Sequence, residues 1–98
     1  MFFEKSVNSF ANLMQEVALL DLDSGIRTFG DYENKKRQFV FVTRSPQDSY
    51  TLMVYEKKTD EGKPVPGKRL LVKKFSAKED LGKFMKGLLS RPVRAFIY

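Results

Sequence analysis

The stretch Gln38-Phe39-Val40-Phe41-Val42-Thr43 decides how the chain folds. Its four central residues are aromatic or β-branched, so a strand built here has no polar face. That pattern predicts a central strand, covered on both sides. Before it, Ile26 to Gly30 reads as a weaker strand. After it, Ser45-Pro46-Gln47-Asp48-Ser49 carries turn chemistry and leads into a strand from Tyr50 to Glu56. Alternation there sets Tyr50, Leu52 and Val54 on one face and Thr51, Met53 and Tyr55 on the other. Thr59 to Gly67 holds two Gly and two Pro and predicts a long hairpin loop, from which Lys68 to Phe75 returns as a strand.

Helices flank this meander. Phe3, Val7, Phe10, Met14 and Val17 recur every three or four residues, the stripe of an amphipathic helix from about Phe3 to Leu20. Asp21 to Gly25 supplies a turn. Ser76-Ala77-Lys78-Glu79 has the spacing of a capping box and predicts Ser76 as the N-cap of a second helix. Leu81, Phe84, Met85, Leu88 and Leu89 form that helix's apolar stripe, and Pro92 stops it. The tail Val93 to Tyr98 alternates and predicts a short edge strand. The fold class is therefore α+β: an N-terminal helix, an antiparallel sheet of three to four strands, a C-terminal helix and a short tail strand. Ninety-eight residues hold one domain. Within it, residues 1–25 form the helix and turn, and residues 26–98 the basic sheet with its capped helix.

Charge divides along the same line. Residues 1–25 carry a net −3 and residues 26–98 a net +9, giving +6 overall. An excess of this sign favours a polyanionic partner. The chain has no Cys and no His, which excludes disulfides, thiol nucleophiles, imidazole acid–base chemistry and Cys or His metal sites. No metal and no cofactor are expected. The acidic pairs Asp21/Asp23 and Asp60/Glu61 read as solvated turns. Gly67-Lys68 opens a strand, whereas a phosphate-binding loop must open a helix. The expectation is a protein that is not an enzyme. Met1-Phe2-Phe3-Glu4-Lys5 lacks the cationic-then-apolar order of a secretory leader, and no run approaches the ~20 apolar residues of a membrane span. A soluble cytoplasmic protein without membrane contact is expected.

Basic residues mark the strand ends. Lys35, Lys36 and Arg37 precede the central strand and Arg44 follows it. Lys57 and Lys58, Lys68 and Arg69, and Lys73 and Lys74 bracket the next two strands. With Tyr50 and Tyr55 between them, these form a candidate track for single-stranded nucleic acid, cations on phosphates and rings on bases. The same lysines also read as guards against edge-to-edge strand pairing. Arg37 to Val42 echoes the aromatic strand of RNA-recognition motifs, but the βαββαβ element order is not read here.

From Phe39-Val40-Phe41-Val42, through Tyr50 to Lys58, the loop Asp60-Glu61-Gly62-Lys63-Pro64-Val65-Pro66-Gly67-Lys68-Arg69 and the strand Leu70-Leu71-Val72, to the helix with Leu81, Phe84 and Leu88, the chain resembles one family. This is the single-stranded-DNA-binding transcriptional coactivators (positive cofactor four), and more loosely PUR-type domains, over about residues 38–88. The resemblance implies a curved four-stranded sheet followed by one helix, a homodimer built by helices, and single strands running over the sheet. Tyr55 would then stand where such sheets often present Trp. The leading expectation is a non-catalytic DNA- or RNA-binding protein with little sequence preference. The alternative is a protein–protein interaction module, a small regulator or inhibitor docking on a larger enzyme. The Phe3, Val7, Phe10, Met14 and Val17 stripe then either packs on the chain's own sheet or forms a partner or dimer interface.

Overall fold

The computed structural model of the protein describes residues 5–98. Its elements run β1 (Lys5–Val7), α1 (Phe10–Ala18), β2 (Gly25–Tyr32), β3 (Lys35–Ser45), β4 (Ser49–Asp60), β5 (Lys63–Phe75), α2 (Lys78–Leu88) and β6 (Ala95–Ile97). The fold is α+β. One antiparallel sheet has the strand order β1-β6-β2-β3-β4-β5. Strands β2 to β5 form a meander with short connections. Glu33 and Asn34 (φ 50° and 67°) turn β2 into β3, and Glu61 and Gly62 (φ 50° and 78°) turn β4 into β5. Two residues with positive φ suit the twist of an antiparallel hairpin. Among the described residues, no helix is long and apolar enough to cross a membrane.

Both helices lie on one face of the sheet. Leu13 and Val17 of α1 and Leu81, Met85 and Leu88 of α2 bury against Ile26, Val40, Val42, Leu52, Val54 and Ala95. These strand residues share one side by alternation and register. Each large side chain removed from water here contributes roughly 1.5–3 kcal/mol. Buried Thr28 donates its hydroxyl to the Arg94 carbonyl at 2.7 Å, which ties β2 to the approach of β6.

Several expectations are corrected. The first helix begins at Phe10, because Ser9 adopts extended backbone and its hydroxyl accepts from the Asn12 N–H at 3.2 Å. Val7 therefore belongs to strand β1, paired with Ala95 and buried. The helix ends at Ala18 rather than Leu20. Phe3 lies outside the described residues. The N-cap of α2 is Ala77, which makes no side-chain capping bond, and Ser76 is one residue too early. Thr59 to Gly67 is no long loop. Pro64 and Pro66 sit instead on β5, an edge strand, where a missing N–H removes no ladder bond. The tail strand β6 is internal, inserted between β1 and β2. Finally, the helices cover β3 on one face only.

Candidate nucleic-acid interface

The face turned away from the helices follows from the ladder registers, which align its residues in three rows. The first holds Phe96, Arg27, Phe41, Met53 and Val72. The second holds Phe29, Phe39, Tyr55 and Arg69. The third holds Gly25, Thr43, Thr51 and Lys74, with Tyr98 beside Gly25 through two backbone hydrogen bonds of 3.0 Å each. Among the described residues, these rows contain three cations and no acid.

The rings touch one another across the strands. Phe29 and Phe39 have centroids 5.2 Å apart, Phe39 and Phe41 6.1 Å, and Phe41 meets Tyr55 edge-on at 5.6 Å. The Arg27 guanidinium lies 5.0 Å from the Phe96 centroid. Such contacts let aromatic side chains hold position without a covering layer. Phe39 is buried; Phe29, Phe41, Met53, Tyr55 and Phe96 are half-buried, and Tyr98 is 42% exposed.

Phe41, Met53, Tyr55, Pro66 and Tyr98 line a shallow groove of about 370 Å³ on this face. In a flat sheet β6 and β5 would lie four strand spacings apart, roughly 19 Å. The Tyr98 side chain closes part of that span, because its ring reaches over Gly25 of β2. The register shifts on either side of Tyr55 in the β4–β5 ladder mark bulges, the device by which strands bend.

The structure sorts the sequence-derived candidates into three groups. Tyr55 and Arg69 are ladder partners, Lys74 opposes Thr51, and Lys57 opposes the groove residue Pro66. These four surround the aromatic rows. Lys35, Lys36 and Arg37 are exposed around the β2–β3 turn, where Lys36 pairs with Asp31 at 3.6 Å. Lys58 pairs with Glu56 at 3.6 Å, and Lys68 is exposed near the base of the β4–β5 ribbon. The remaining candidates turn to the helix side. Tyr50 is 6% exposed and part of the core, so it offers no ring for stacking. Arg44 is half-buried, donating to the Leu20 carbonyl at 2.8 Å and to the Asp48 carboxylate. Lys73 lies over the Phe84 and Phe75 rings at 4.5 and 5.4 Å.

The proposed interface stripe also resolves. Val7 and Val17 are buried, and Phe10 and Met14 pack against the same core. These described members of the stripe face the chain's own core. Sequence reading missed Phe29, Phe41, Pro66, Phe96 and Tyr98 as surface candidates; it took Phe39 and Phe41 as core, which holds for buried Phe39 but not for half-buried Phe41. Two helices can cover both faces of a sheet or one, and only the structure shows both on the same face.

Among the described residues three titrating groups are shifted: Asp31, Tyr98 and Tyr32, whose phenol is raised by desolvation and then by the Glu33 carboxylate. The Asp31 carboxyl is held below the usual range, first by the Ser90 hydroxyl at 2.6 Å, then by the Arg37 N–H at 3.0 Å and the Lys36 charge. Burial raises the Tyr98 phenol, opposed by the positive charge of Arg27. Among the described residues, no acidic cluster could hold a metal ion. Protein-family models, curated proteins and solved structures give no match to this chain.

Proposed function

We propose that the protein binds single-stranded nucleic acid across its open sheet face, without catalysing a reaction. The observation that carries this reading is the composition of that face: half-exposed rings in contact rows, bordered by Arg69, Lys74 and Lys57, with no acid in the rows. Every base has a flat π-face, so ring stacking accepts any sequence. Phosphates supply the charge that the cations lack. Four consecutive strands followed by α2 are also the order that the coactivator resemblance implies. Docking of a protein partner through the α1 stripe is disfavoured, since the stripe would have to leave the core.

The test is a salt series of anisotropy titrations with labelled single- and double-stranded oligonucleotides, DNA and RNA. Single strands should bind more tightly than duplexes. Replacing Lys57 and Arg69 together by Ala should flatten the salt slope by about 1.4 units, ~0.7 for each lost phosphate contact. A wild-type protein that ignores single strands in ~50 mM salt overturns the reading.

A further inference from the structure

We propose that the groove is a pocket for one unpaired nucleobase, walled on one side by a projecting β4–β5 arm; this rests on the nucleic-acid reading above. The arm is defined by where pairing stops. Strand β3 accompanies β4 no further than Phe39↔Tyr55, and from Lys57↔Pro66 to Asp60↔Lys63 the two strands of the arm pair only with each other. The root of the arm is pinned. Buried Gln38 donates from Nε2 to the Lys36 carbonyl at 2.9 Å and accepts the Lys57 N–H through Oε1 at 3.0 Å. Register shifts flank Tyr55 where the arm begins, and Pro66 on the arm lines the same groove as Tyr98.

The shape and chemistry of the groove select the occupant. Its floor is Phe41, Met53 and Tyr55, with the two rings edge-to-face at 84° and the Tyr55 hydroxyl donating to the Met53 sulfur at 3.7 Å. Its ends are the apolar pyrrolidine ring of Pro66 and the aromatic ring of Tyr98. At about 370 Å³ it lies near the lower end of ligand sites, which run roughly 300–1,000 Å³. A duplex presents only base edges in its grooves, so it cannot lay a base face on this floor. An extruded or unpaired base can. Lys57 beside Pro66 and Arg69 opposite Tyr55 then stand where the flanking phosphates would pass.

The experiment uses a short single-stranded DNA with an end label for anisotropy and one central 2-aminopurine, whose emission reports stacking. Wild type, Pro66→Ala and Tyr98→Ala are compared; both positions are exposed, so either variant is expected to fold. Wild type should change the 2-aminopurine emission on saturation. Both variants should lose most of that change and bind about fivefold more weakly or worse, with the salt slope unaltered because no phosphate contact is lost. Binding with emission changes equal in all three proteins overturns the pocket and leaves the open-face reading standing. Absence of any anisotropy rise with wild type overturns the open-face reading, and the pocket with it.

Discussion

Tyr98 lies over Gly25, and that approach depends on the missing side chain. A Cβ at Gly25 would sit 2.6 Å from the Tyr98 hydroxyl oxygen and 2.7 Å from Cζ. Gly25→Ala therefore pushes the ring away. Because the displaced group is the far end of a surface side chain, thermal unfolding should change by less than about 1 kcal/mol. The Tyr98 ring resonances should nonetheless move, and affinity for single strands should fall. Ala77 offers the opposite case. Its extended backbone (φ −130°, ψ 135°) has N-cap geometry without a capping side chain. Ala77→Ser should raise stability by about 0.5–2 kcal/mol in a denaturant titration, whereas Ser76→Ala should change it by less than ~0.5 kcal/mol. The capping motif was legible in the sequence to within one residue. Which of Ser76 and Ala77 bends into the cap depends on how the chain leaves β5 at buried Phe75, and spacing carries no record of that.

At the scale of elements, the β2–β3 hairpin is tied to the segment after α2 by Asp31, which accepts from the Ser90 hydroxyl and the Arg37 N–H. The Ser90 N–H also donates to the Phe29 carbonyl at 2.9 Å. A carboxyl held low in the folded state binds fewer protons there than in the unfolded chain. Its stabilising effect is thus complete above the unfolded value near pH ~4 and is lost as pH falls through the folded value. Asp31→Asn should lower the melting temperature at pH 6, and the gap to wild type should close on acidification towards pH 2. A constant gap would show that the carboxylate charge is not what holds the hairpin. The long strands were readable because alternation persists over many residues, as in Tyr50 to Glu56. Strand β1 has three residues, too short for a period, so Val7 was absorbed into the helical stripe beyond Ser9, whereas β6 was legible in the alternation of Val93 to Tyr98 and only its internal place in the sheet was not. The ends of β4 and β5 were hidden by Pro64 and Pro66, which mark a loop in most contexts and an edge strand in this one.

For the whole molecule, the decisive property is that the sheet has a single layer of cover. Hydrophobicity alone could not show this. Phe41 scores as core on any scale, and only the placement of both helices on the other face leaves its ring half-buried, with no helix over it among the described residues. Leu13 separates the two roles the α1 stripe was given. It is fully buried between α1 and the sheet, so Leu13→Ala should cost about 2–5 kcal/mol of folding stability. Sedimentation of the folded variant should match wild type; a shift in association without loss of stability would restore the partner-interface reading. The strand order also governs the sequence of events during synthesis. Among the described residues β1 pairs only with β6, and β6 fills the place beside Ile26 and Arg27 of β2. Until residues 95–98 have been made, the nascent sheet keeps a raw edge next to its aromatic face, and β1 has no neighbour. Such an edge invites pairing between chains on crowded ribosomes. Deleting residues 95–98 would thus strip two strands at once, binding the fate of β1 to the arrival of β6.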